Sequence, residues 1–169
     1  MRVDAIQAVV RWLSMQLSEV FLALGESGFG QLIRGISIGK LKTFQVYEPF
    51  KVRAHLAKLN TESLRKAAAR FWSRLSEHDE DFARDLGQAI LVSHLDMMTA
   101  VLDFLGIANE GGFFAKDIDA KPHLTEGWQE RVFEKFRGAY PEPLLLFYIN
   151  HLAWELTEAP EPFAPVGAG

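Results

Sequence analysis

The sequence contains no cysteine, and this absence limits the kinds of reaction and metal site that the chain can support. Disulfides, thiol nucleophiles and cysteine-ligated zinc or iron–sulfur sites are excluded. A chain without cysteine fits a reducing compartment, and we expect a cytoplasmic protein. Long apolar runs are also lacking near the N-terminus, where Arg11, Gln16 and Glu19 interrupt the apolar residues. We therefore expect neither a signal peptide nor a membrane-spanning segment.

Several motifs that carry chemistry are missing as well. The chain has no His-Glu-x-x-His sequence and no Glu-x-x-His pair of the kind found in di-iron helical bundles. A Ser/His/Asp hydrolase is not expected, because no sheet is predicted to present the serine. The sequence predicts no cofactor and favours a protein that is not an enzyme.

The residues that are present indicate one helical domain. Apolar residues make up 49% of the chain and charged residues 24%, and 13 Phe and four Trp suggest a large aromatic core. At 169 residues, the chain is long enough for one domain with its own core. We predict an all-α bundle over residues 1–158 and a disordered tail over residues 159–169, which are rich in proline and glycine.

Apolar spacing predicts five or six main helices. The expected helices run from Ile6 to about Gly25, from Pro49 to Leu59, from Asn60 to about Leu75, from Asp79 to Leu105, from Thr125 to Gly138, and over about 143–157. The helix over 79–105 is expected to be the long central one, and the helix over 143–157 is expected to be buried. Five glycines over residues 25–48 favour loops, with a short helix near 29–36 and an extended piece near 41–47.

His94 is the most suggestive single residue, because the spacing predicts that it lies on the apolar side of the central helix. An imidazole there loses its hydration, so it needs a hydrogen-bond partner. Two interpretations remain open: a neutral core histidine bonded to a carbonyl or carboxylate, or a histidine with a metal-binding or catalytic role.

A second candidate cluster lies on the last helix. Tyr148, His151 and Glu155 are spaced by three and four residues, which predicts that they share one helical face. A local hydrogen-bonded cluster is one interpretation. His151 and Glu155 can also ligate a divalent metal, but two ligands are too few, and the missing ones would have to come from His94, His123 or acidic residues elsewhere in the chain. We predict no metal site, and we keep His151, Glu155 and His94 as the possible ligands.

Charge is distributed unevenly along the chain. Residues 31–76 carry a net charge of about +8 by count, although the whole chain carries −4. The basic residues of this segment form a candidate surface for an anionic partner: Lys40, Lys42, Lys51, Arg53, Lys58, Arg65, Lys66, Arg70 and Arg74. Nucleic-acid-binding domains tend to be basic overall, so an acidic protein is the expected partner, and nucleic-acid binding through residues 31–76 is kept as a second alternative function. The alternative is that neighbouring acids neutralise this surface.

Two functional hypotheses follow. The leading one is a helical interaction module without enzymatic activity, which self-associates or docks an acidic protein partner. A mean hydropathy of +0.01 is high for a small monomer and favours a homo-oligomer, most simply a dimer. The second hypothesis is a protein that binds a small molecule or metal inside the bundle, with His94, Tyr148, His151 and Glu155 at the site.

Overall fold

A computed structural model describes residues 16–46, 60–157 and 161–165. Across these residues the fold is all-α, as the sequence predicts, and its one sheet has two short strands. The elements, in chain order, are α1 (Leu17–Leu22), α2 (Gly25–Arg34), α3 (Ile38–Thr43), α4 (Thr61–Ser76), α5 (Glu80–Val92), α6 (Leu95–Leu105), β1 (Asn109–Glu110), β2 (Phe113–Phe114), a 3₁₀ turn (Lys121–His123), α7 (Trp128–Phe136) and α8 (Glu142–Leu156). The expected helix over residues 49–59 lies outside the described residues.

The long central helix over 79–105 is the main correction to the predicted fold. It begins at its expected cap, because the Asp79 carboxylate accepts a hydrogen bond from the backbone nitrogen of Phe82, and it ends at Gly106 in a left-handed conformation. Between these ends it breaks at Ser93 and His94 into α5 and α6, which are bent by 86°. In the part of the chain described, no single helix is long and apolar enough to cross a membrane. The bent pair α5 and α6 reaches that length and hydropathy only when the two helices are counted together.

Residues 25–46 are more helical than their glycines suggest. The helix α2 begins at Gly25 in a left-handed conformation, and it buries Phe29, Leu32 and Ile33 at helical spacing. The extended piece expected near 41–47 is wrong up to Thr43, which ends α3. The apolar periodicity outweighs the glycines here because it gives both helices a face to bury.

The C-terminal helix α8 is buried, as predicted. It packs against α1, α2 and α7, and eight of its residues on all sides are buried. Its Phe147 ring lies 4.6 Å from the ring of Phe21 in α1. These contacts place α8 in the middle of one continuous hydrophobic core.

Within the C-terminal tail, the described residue Phe163 contacts the core. The buried side chain of Asn150 donates a hydrogen bond to the Phe163 carbonyl and accepts one from its backbone nitrogen. The Phe163 ring also lies 6.5 Å from that of Phe133. One aromatic residue and a paired amide therefore anchor a segment whose composition suggests no structure.

A tight hairpin follows α6. Gly111 and Gly112, both with positive φ, form the two-residue turn between β1 and β2. The Asn109 side chain fixes the turn, since it accepts a hydrogen bond from the backbone nitrogen of Gly112 and donates to the Ile107 carbonyl and to Asp103. The hairpin therefore holds Phe113 and Phe114 in defined positions beside α6.

Candidate functional site

A cavity of about 290 Å³ lies among α5, α6, the hairpin and α8. Most of its wall is apolar, and polar groups come from only a few side chains, as is usual for small-molecule sites. Its lining residues are Leu17, Arg84, Gln88, Leu91, Val92, Met98, Gly112, Phe113, Phe114, Tyr148, His151, Leu152, Trp154 and Glu155.

The helix α8 brings Tyr148, His151 and Glu155 to this cavity together. Steps of three and four residues place their side chains on the same side of the helix. The rest of α8 is held by core packing around Phe147 and Ile149, so the position of the three side chains is set by the fold.

His151 has the least ordinary environment of the three residues. Its Nδ1 is enclosed by protein and has no hydrogen-bond partner among the described residues. The nearest acidic atom is Oε2 of Glu155, 3.7 Å from Nδ1, which is too long for a hydrogen bond. The imidazole lies between the rings of Phe147 and Trp154, with centroids 5.9 and 5.7 Å away. Burial among these rings lowers the pKa of His151 to about 4, so the imidazole is neutral near pH 7.

The pKa values of the two neighbouring groups, Tyr148 and Glu155, are raised, whereas that of His151 is lowered. Burial raises the pKa of the Glu155 carboxyl above its usual value. Burial also raises the pKa of the Tyr148 phenol, and the charge of Glu155 raises it further. Tyr148 therefore stays protonated and is available as a hydrogen-bond donor beside a carboxylate.

His94 is not part of this cavity. It lies at the break between α5 and α6, where it precedes the first residue of α6 with φ −134° and ψ 46°. It lines a second cavity with Ser93 and Tyr140, and the two cavities have Val92 in common. Burial lowers the pKa of His94.

The fold brings the His94 imidazole close to the backbone at the end of α2. A Cβ atom added at Gly35 would lie 2.9 Å from His94 Nε2, so only glycine leaves room for the ring there. The structure thus places His94 and His151 at different sites. Across the described residues, no three His, Asp or Glu side chains are grouped as metal ligands.

The basic surface is only partly described, because Lys51, Arg53 and Lys58 lie outside the described residues. Lys40 and Lys42 lie on α3, whereas Arg65, Lys66, Arg70 and Arg74 lie on α4. Lys66 Nζ lies 3.3 Å from Glu62, and Arg74 lies 2.7 Å from Asp79 and over the Phe82 ring. Part of the charge is therefore neutralised within the chain, and docking of an acidic protein stays a prediction.

The sequence alone does not indicate that the other lining residues belong to a binding site. Phe113, Phe114 and Trp154 form aromatic walls, and Gln88 and Arg84 lie on α5. The hairpin itself has a readable signal, since Gly-Gly between two short runs is typical of a two-residue turn. The position of that hairpin at the cavity depends on tertiary packing, and local spacing does not predict it.

One further motif has a structural role. The segment Gly35-Ile36-Ser37-Ile38-Gly39 has the spacing of the nucleophile elbow of serine hydrolases. Here it joins two helices rather than a strand and a helix, and its serine backbone is extended. The Ser37 hydroxyl accepts a hydrogen bond from the backbone nitrogen of Lys40 and caps α3.

No protein-family model, curated protein or solved structure matches this chain.

Proposed function

We propose that this protein binds a small molecule in the cavity beside α8. The observation that carries the proposal is the His151 imidazole, which lines an open cavity while its Nδ1 is buried without a hydrogen-bond partner. Burying such a group without a partner costs about 1–3 kcal/mol, which the hydrophobic core alone does not require. A role in ligand binding would account for this buried and unpaired imidazole.

The roles of the three α8 residues follow from their protonation states. Tyr148 donates a hydrogen bond through its phenol, and Glu155 accepts one or pairs with a charge. A small movement of Glu155 from 3.7 Å brings it within hydrogen-bond distance of His151 Nδ1. Glu155 would then fix the imidazole in the form that leaves Nε2 as an acceptor for the ligand.

Blocking the cavity mouth tests the proposal. Gln88 lines the cavity from an exposed position on α5, so Gln88→Trp adds a bulky ring there without disturbing the core. Gln31, which is exposed on α2 and does not line the cavity, offers the matched control Gln31→Trp. We expect ligand-detected NMR with small aromatic fragments to show binding to the wild type and to Gln31→Trp, and a loss of binding in Gln88→Trp. Fragments that bind all three proteins equally, or none of them, would contradict the proposal.

A further inference from the structure

We propose that the ligand of this cavity is an organic cation, with an ammonium group attached to a small apolar body. This inference rests on the proposed function and names the chemical class of its ligand. It is carried by the side chains that line the cavity: one carboxylate that lacks a cationic partner among the described residues, and several aromatic rings that line the same cavity.

The charges around the cavity favour a cation. In the described part of the chain, the only ion-pairing neighbour of the Glu155 carboxylate within 4.0 Å is His151, and that imidazole is neutral near pH 7. The basic residue of the wall, Arg84, lies 3.3 Å from Asp81 and has 57% of its side chain exposed. Water reaches both charges, since 45% of the Glu155 side chain is exposed, but Arg84 has its own acid whereas Glu155 has no cationic partner among the described residues.

The aromatic side chains favour the same class of ligand. Tyr148, Trp154, Phe113 and Phe114 all line the cavity, and the face of an aromatic ring attracts a cation within about 6 Å. Phe113 is 51% exposed although the glycine turn fixes the hairpin that carries it. An exposed aromatic ring held at the edge of a cavity contributes little to folding, but it can cover an organic ligand.

The size of the cavity sets the size of the apolar body. At about 290 Å³ it lies at the small end of ligand pockets, which suits one ring or a short aliphatic chain. Leu91, Met98 and Leu152 provide apolar contacts for such a group.

Three probes of similar size and different charge test the inference: benzylammonium, benzyl alcohol and benzoate. We expect calorimetric titration near neutral pH to show that benzylammonium binds about tenfold more tightly than benzyl alcohol, and that benzoate binds most weakly. Glu155→Gln should remove the preference for the cation, so that benzylammonium and benzyl alcohol bind this variant with affinities within about twofold of each other. Glu130→Gln is the matched control, because Glu130 is exposed on α7 and does not line the cavity, and it should keep the full preference.

The possible outcomes separate this inference from the proposed function. If benzyl alcohol or benzoate binds as tightly as benzylammonium, or if Glu155→Gln keeps the preference, the cationic ligand is wrong. Binding of benzyl alcohol that Gln88→Trp abolishes would still support a small-molecule site in that case. If Gln88→Trp leaves the binding of every probe unchanged, or if no probe binds, both the inference and the proposed function are overturned.

Discussion

At the scale of single residues, His151 combines properties that rarely occur together in a folded core. Its ring is 16% exposed, lies between two aromatic rings, and keeps an enclosed nitrogen without a hydrogen-bond partner. A phenylalanine at this position would fill similar space without that cost. The imidazole therefore suggests a role in binding.

The low pKa of His151 predicts a pH dependence of stability. In the folded protein the pKa is about 4, whereas the ordinary value is 6.5, so the unfolded chain binds the proton more readily. Stability is then full above the ordinary value and falls as the pH drops from about 6.5 to about 4. Denaturant unfolding should show that the wild type loses about 2 kcal/mol more than His151→Gln between about pH 7 and about pH 5. Parallel pH profiles for the two proteins would show that burial does not control this group.

At the scale of elements, the hairpin positions one wall of the cavity through two glycines with different surroundings. A Cβ atom at Gly112, where φ is +97°, would lie 3.1 Å from the Leu95 carbonyl oxygen and 3.1 Å from Met98 Cβ. At Gly111, where φ is +61°, nothing lies within 4 Å of the added atom. Of the two turn glycines, only Gly112 therefore lies close to α6.

This difference predicts unequal costs for the same substitution. We expect Gly112→Ala to lower the free energy of unfolding by about 3 kcal/mol, because the backbone strain and the clash with α6 add together. Gly111→Ala should cost only about 1 kcal/mol, the price of the left-handed conformation alone. Urea unfolding of the two variants and the wild type measures both values. Equal losses would mean that the hairpin does not depend on close packing against α6.

The break between α5 and α6 shows what local sequence patterns leave open. Neither Pro nor Gly marks Ser93 and His94, and the apolar spacing continues through them, so a straight helix is the natural prediction. In the structure the Ser93 hydroxyl bonds the carbonyl of Ala89, and the His94 ring fits against Gly35. The bend is thus fixed by packing between elements distant in sequence.

The candidate site likewise has a part that local spacing predicts and a part that depends on the assembled fold. Helical spacing was enough to place Tyr148, His151 and Glu155 on one face of α8, because that relation is local. No local spacing relates His94 to His151, because the two residues lie on different helices. The bend between α5 and α6 places His94 at another cavity. The aromatic walls and the unpartnered Nδ1 depend on the assembled fold, so no pattern within one helix predicts them.

At the scale of the whole molecule, the uneven charge is partly balanced within the fold. The basic helix α4 is followed directly by the acids at the start of α5, and Arg74 bonds the first of these, Asp79. Such pairs near the surface contribute little to stability, since exposed salt bridges are worth about 0–1 kcal/mol. They do lower the positive potential that an acidic partner would meet, so cavity binding has the stronger support.

Subunit number is the remaining prediction at this scale. The mean hydropathy of +0.01 favours burial of apolar surface between chains, and we expect native mass spectrometry to show a dimer of the 19.0 kDa chain. The denatured mass of the same sample is the control, because it counts only covalently attached groups. A single-chain mass at micromolar concentration would contradict self-association. An added small-molecule mass, present in Gln31→Trp and lost in Gln88→Trp, would place the bound molecule in the cavity whatever the subunit number, because oligomerisation and ligand binding are read from separate mass differences.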